Sequence, residues 1–194
     1  MSISPCLWFD TKAEEAARFY TKIFKKSKIG KISRYGEGAP MPAGTVLTVQ
    51  FWLDGQEFLA LNGGPHFKFS EAISFVVPCK TQKDLDAMWT RLSAGGGTGR
   101  CGWLKDRFGV SWQIVPAIMP RLMADKKRSP RVMAALMQMN KLDIKALEAA
   151  YNEGPARPAK ANPTRPANEK PARPAKSSPA RPAKAKPARP APKR

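Results

Sequence analysis

An α+β domain, built twice from one pattern of strand, helix and three further strands, is what this sequence predicts. Three observations carry the prediction. Short runs with strand-like alternation flank two amphipathic helical stretches. The helical stretches match each other at an offset of 70 residues: Thr11 with Thr81, Glu14 with Asp84, Ala17 with Ala87 and Phe19 with Trp89. Each match also follows an apolar strand, so the element order repeats along with the residues. Two such units, each burying one sheet face beneath its helix, give paired βαβββ modules.

The elements of the first module follow in order. Residues 4–9 are a short apolar strand. Asp10 and the capping box Thr11-x-x-Glu14 open a helix, which carries Ala13, Ala16, Ala17, Tyr20, Ile23 and Phe24 on one face through Lys26. Residues 29–35 return as a strand, and 36–42 are a Gly/Pro loop. Residues 45–53 alternate β-branched and aromatic side chains with polar ones. Asp54-Gly55 then marks a tight hairpin turn. Residues 56–61 run back, and Asn62-Gly63-Gly64-Pro65 breaks the strand.

The second module opens with a strand over 71–77, stopped by Pro78. Thr81 caps a helix with Leu85, Met88, Trp89 and Leu92 on one face, and the run from Gly95 to Gly99 ends it. Residues 102–116 form a hairpin with Lys105-Asp106-Arg107 as its polar tip and Gly109 at the turn exit. Val110, Trp112 and Ile114 alternate with Ser111 and Gln113. These two modules occupy residues 1–116.

Residues 117–154 are expected as a helical extension. Ser129-Pro130 starts one helix, and Val132, Leu136, Met137 and Met139 give it an apolar stripe. Asp143 caps the last helix, with Leu142 and Leu147 spaced as a hydrophobic staple. A methionine-rich stripe serves core or dimer surface more readily than a cofactor site.

Charge divides the chain differently. The whole carries a formal +19; residues 155–194 hold 12 Lys/Arg and the single acid Glu169, hence +11. That tail repeats every eight residues, with Pro at 155, 163, 171, 179 and 187, and has no aromatic, Leu, Ile or Val side chain to bury. A disordered basic tail is expected. Its cations point to salt-sensitive, sequence-independent binding of DNA or RNA, with a solvated extension as the alternative reading. It has no aromatic residue on which single-stranded bases could stack.

The cysteines, Cys6, Cys79 and Cys101, form no C-x-x-C pair. The first five residues lack the basic start and apolar run of a signal peptide. No stretch approaches the length of a membrane span, so a cytoplasmic protein is expected.

Several motifs then bear on function. They include Pro5-Cys6-Leu7-Trp8-Phe9-Asp10, Ala13-Glu14-Glu15-Ala16 with Phe19-Tyr20, and the run from Asp54 to Pro65. The stretches from Phe67 to Phe75 and from Cys101 to Gly109 complete the set. Together they resemble the PhnB-like branch of the vicinal-oxygen-chelate superfamily of glyoxalase, bleomycin-resistance and dioxygenase proteins. This branch often carries the label 3-demethylubiquinone-9 3-methyltransferase. The resemblance covers residues 3–152. It implies two paired βαβββ modules, usually in a homodimer.

Metal-dependent members place His, Glu, His and Glu on the first, fourth, fifth and eighth strands. The matching positions are near Ile3, Ala60, Ala72 and Gln113. Three of these have no side-chain donor and the fourth is a weak neutral one, so no metal is expected. No cofactor is expected either: the glycine run at 95–99 follows a helix and precedes a strand, the reverse of a nucleotide-binding turn.

The resemblance leaves a small-molecule pocket in a cup-shaped sheet. Trp8, Trp52, Trp103 and Trp112 are its candidate aromatic lining, with Asn62, Arg107 and Gln113 as polar contacts. For an enzyme, His66 or Asp106 is the expected acid/base; His66 is the one histidine in the chain. Core packing is the competing reading for each tryptophan, and an exposed loop position for His66. A protein that sequesters a ligand without turnover, tethered to nucleic acid by its tail, is the alternative function.

Overall fold

The computed structural model describes residues 3–153. The expectations for the basic repeat at 155–194 therefore lie outside the described residues. The first module contains β1 (Cys6–Phe9), α1 (Ala13–Ile23), β2 (Lys28–Arg34), β3 (Val46–Leu53) and β4 (Gln56–Asn62). The second contains β5 (Phe75–Cys79), α2 (Gln82–Ser93), β6 (Gly97–Thr98), β7 (Trp103–Lys105) and β8 (Ser111–Pro116). The helices α3 (Met119–Ala124), α4 (Ser129–Leu136) and α5 (Ile144–Asn152) follow.

The internal repeat holds at the level of topology. The first sheet has the order β1-β4-β3-β2 and the second β5-β8-β7-β6. In each, the opening strand pairs in parallel with the closing one and the remaining neighbours are antiparallel. The duplicated α+β architecture read from the sequence is the one observed.

Alternation assigns each sheet a core face and an open face. In the first, Val49, Phe51, Phe58 and Ala60 are buried beneath α1, whereas Thr48, Gln50, Trp52 and Glu57 turn the other way. In the second, Leu104, Trp112 and Ile114 are buried and Ser111 and Gln113 alternate with them. The core faces meet: Phe58 packs edge-on against Phe75 with ring centroids 5.2 Å apart, and Phe51 stacks on Phe58. Asp54-Gly55 turns the β3–β4 hairpin with both residues at positive φ, +48° and +88°, the backbone a two-residue loop of this twist requires.

Several elements differ from expectation, each for a tertiary reason. The side chain of Thr11 does not cap α1. Asn62, at the end of β4, accepts a hydrogen bond from Ala13 N at 2.8 Å and donates to Val46 O at 3.0 Å. The helix ends at Ile23 rather than Lys26, and Arg91 of α2 donates to the free carbonyls of Lys22 and Ile23. The strand expected at 71–77 runs instead over Phe75–Cys79, through Pro78. Proline is tolerated there because β5 lies at the sheet edge. Ser129 makes no side-chain cap on α4, which starts with Pro130 in its first turn.

Other local signals hold. Thr81 caps α2, accepting from Asp84 N, and Asp143 caps α5, accepting from Ala146 N. Leu142 and Leu147 are fully buried, as a staple demands. Gln82 ties the extension to α2, donating to Leu142 O at 3.1 Å and accepting from Ile144 N at 2.9 Å. No described helix is long and apolar enough to cross a membrane.

Candidate functional site

Three cavities in the described residues bear on function. The first, of about 410 Å³, lies on the open face of the second sheet and is lined by Thr98, Arg100, Trp103, Lys105, Ser111 and Glu71. The register builds it, because Trp103 stands opposite Gln113 and Lys105 opposite Ser111. Gly96 makes the close approach of β7 possible: a Cβ there would stand 2.1 Å from the Lys105 carbonyl oxygen.

Ser111 is the unusual member. Only 2% exposed, its Oγ has no hydrogen-bond partner among the described residues. An orphaned hydroxyl costs about 1–3 kcal/mol. At the same cavity Lys105 Nζ meets Glu71 Oε1 at 2.6 Å, and that hydrogen bond holds the Glu71 carboxyl below its ordinary range. Ser111 has no hydrogen-bonded base to activate it, so it is suited to orient a ligand rather than attack one.

The second cavity, about 460 Å³, lies between the modules and is walled by Phe24, Phe58, Phe75, Met88, Cys79 and Trp112. Burial pushes the Cys79 thiol up to about 11, which suits packing rather than nucleophilic chemistry. The third, about 470 Å³, takes in Trp8, Phe67, Phe69, Lys68, Arg107 and Phe108.

The expected site residues disperse across these places. Trp103 and Gln113 share the open face of the second sheet, where Gln113 Nε2 donates to Ser74 Oγ at 2.9 Å. Trp8 and Arg107 share the third cavity. Trp8 donates its indole N–H to Gly64 O, while Arg107 donates to Ala94 O and lies 4.7 Å from the Phe19 ring centre. Trp52 faces away from the core with Lys28 Nζ 4.6 Å from its ring centre. Asn62 is the buried α1 cap. His66 is exposed and lines none of the three cavities.

Asp106 is not part of an exposed polar tip. It is 3% exposed and accepts four hydrogen bonds: from Tyr20 Oη at 2.7 Å, Trp112 Nε1 at 2.8 Å, and the backbone N–H groups of Phe108 and Val110. Burial pushes its carboxyl above the ordinary value, with the hydrogen bonds acting against it. Burial, and then the Asp106 charge, raise the Tyr20 hydroxyl well above its own. The group is closed by its donors and joins α1 to the second module's hairpin.

The positions matched to metal ligands have no donor set. Ile3 is exposed, Ala60 is buried on the α1 side of β4, Ala72 lies in the loop before β5, and Gln113 is engaged with Ser74. These residues do not fit a divalent metal. No three His, Cys, Asp or Glu side chains gather among the described residues.

Ser111 and Tyr20 were missed by sequence reasoning. Ser111 reads as an ordinary outward polar residue in an alternating strand. Tyr20 reads as one more core aromatic; its usable signal was the hydroxyl, which needs a partner when buried.

A family profile described as 3-demethylubiquinone-9 3-methyltransferase matches residues 1–115. A structure of a PhnB protein from Bacillus cereus is 38% identical with a TM-score of 0.56, covering 60% of this chain and all of that one. A Pseudomonas aeruginosa protein is 19% identical with a TM-score of 0.49, covering 58% and 94%. A glyoxylase/bleomycin resistance protein/dioxygenase domain from Frankia is 20% identical with a TM-score of 0.37, covering 58% and 92%. No curated protein matches the chain.

Proposed function

This chain belongs to the family described as 3-demethylubiquinone-9 3-methyltransferase, and on that premise we propose that it binds a small organic molecule on the open face of its second sheet. The carrying observation is Ser111 Oγ, buried and unpartnered beside a cavity of about 410 Å³. The Trp103 indole offers a flat apolar wall, and the Ser111 hydroxyl offers a polar contact. A ring with oxygen functions fits that lining.

Binding without turnover is the form of this function the geometry supports best. Neither His66 nor Asp106 lines the cavity. Methyl transfer is left out of the proposal, because the glycine run at 95–99 ends α2 and admits the β6–β7 approach instead of opening a helix toward a cofactor. The open edge of β5, with Val76 on the strand and Ile73 before it exposed, would accept a second copy of the chain.

The test is titration of the full chain with a short-chain hydroxyquinone, chosen for its flat ring and oxygen functions. Ser111→Val is expected to weaken binding about tenfold or more, since it removes the hydroxyl and adds bulk. Unchanged affinity in that variant overturns the site. Residues 155–194 enter the proposal as a tether to nucleic acid, on the strength of their 12 cations and one acid. A duplex-DNA mobility shift at physiological salt should be lost on truncation after residue 154; a shift that survives the truncation refutes the tether.

A further inference from the structure

The third cavity, about 470 Å³, is separate from the open face of the second sheet, and its lining combines two chemistries. One is aromatic. Phe67, in the loop after β4, is 66% exposed, and its ring stands edge-on to Trp8 with centroids 4.9 Å apart. Trp8 is fixed in turn. Its indole N–H donates to Gly64 O at 2.9 Å, and a Cβ on residue 63 would stand 2.2 Å from the ring, so glycine there lets the indole lie against the chain. The other chemistry is cationic. Lys12, Lys68, Lys105 and Arg107 line the cavity, with Asp10 as its one acid. Lys105 is engaged with Glu71. Lys12 meets Glu15 only at 4.0 Å, and Lys68 and Arg107 have no ion-pair partner among the described residues. Arg107 is held by its bond to Ala94 O and by the Phe19 ring. With Lys105 neutralised, three cations face one acid, an excess of two positive charges beside an exposed aromatic ring.

We propose that this cavity binds an aromatic phosphate of the nucleoside monophosphate class. The base stacks on Phe67, an exposed ring that Trp8 steadies from its edge; every base has a π-face, so such stacking accepts any of them. The phosphate, carrying about −1.5 to −2 at pH 7, meets the excess charge of Lys12, Lys68 and Arg107. Arg107 offers a planar fork suited to phosphate oxygens, and the lysines act as point charges. A single carboxylate leaves part of that excess unmatched, and a neutral ring leaves all of it. The volume falls within the range of about 300–1,000 Å³ typical of small-molecule sites, which favours one nucleotide over a strand. The cations are exposed, so added salt weakens the binding.

The full chain is titrated calorimetrically with adenosine monophosphate at physiological salt. Phe67→Ala should weaken binding about tenfold, the loss of one base–aromatic stack. Lys68→Gln should weaken it about threefold, as removal of an exposed ion pair does. Adenosine and inorganic phosphate, each with half of the contacts, should bind more weakly than the nucleotide. The 12 cations of residues 155–194 also attract anions, but neither substitution touches them, so affinity carried by that repeat would not change. Unchanged nucleotide affinity in Phe67→Ala therefore overturns the site. Phosphate binding as tight as the nucleotide overturns the aromatic half and leaves an anion patch. A loss in Phe67→Ala confined to a single-stranded oligoadenylate, with the mononucleotide unaffected, overturns the small-molecule assignment. Circular dichroism of each variant, expected to match the parent because both side chains are exposed, separates lost binding from lost fold.

Discussion

The two modules share one topology and use their open faces differently. On the first sheet, the polar side chains that turn away from the core satisfy one another. Ser33 and Thr48 share a hydrogen bond, Gln50 Nε2 donates to Glu57 at 2.6 Å, and Lys28 sits over the Trp52 ring. On the second, Ser111 has no hydrogen-bond partner among the described residues and lies beside a cavity. The strands differ as well: β2, β3 and β4 are seven, eight and seven residues long, while β6 and β7 have two and three. A long sheet with internally paired polar groups acts as scaffold. A short one with an unmet hydrogen-bonding group is where a ligand gains most, because its own polar atom replaces an existing penalty. Duplication thus supplied two copies of a frame, of which the second carries the stronger claim to a site.

The modules are joined through Asp106, so its removal should produce the largest effect. Asp106→Ala leaves Tyr20 Oη, Trp112 Nε1 and two backbone N–H groups without their acceptor. Loss of about 3–5 kcal/mol in chemical denaturation is expected, from buried donors left unpaired at about 1–3 kcal/mol each. A loss below about 1 kcal/mol would mean the two modules hold together by apolar packing alone.

The helix caps give a smaller and sharper contrast. Thr81 is a local cap of α2, and Thr81→Ala should cost about 1 kcal/mol. Asn62 caps α1 from β4 and also holds Val46 O, so Asn62→Ala should cost roughly 2 kcal/mol or more, the lost cap adding to a buried carbonyl left unpaired. Equal costs, measured by urea denaturation, would show that the distant cap does no more than a local one.

The cap contrast also explains what was legible beforehand. Thr81 and Asp143 were readable because donor and acceptor lie three residues apart. Thr11 carried the same signal and was displaced by Asn62, 49 residues away. Pro78 was read as a strand stop because edge position is a property of the sheet, not of the segment. Among the site candidates, Trp103 and Gln113 were placed together by hairpin register, which alternation and turn residues set. The dispersal of His66, Trp52 and Asn62 from them depended on how whole elements pack.

The sequence by itself determined the duplicated βαβββ order, the two helices, the Asp54-Gly55 hairpin and the sheet faces. These follow from periodicity and turn chemistry, which neighbouring residues decide among themselves. Only the tertiary structure decided that Asp106 is a buried junction 86 residues from its Tyr20 donor. It alone left Ser111 without a partner among the described residues and brought Cys101 against a thioether 36 residues away. The physical reason is that hydrogen-bond satisfaction and sulfur contact are short-range forces acting between groups the chain order keeps far apart. They take effect only once burial has already fixed the fold.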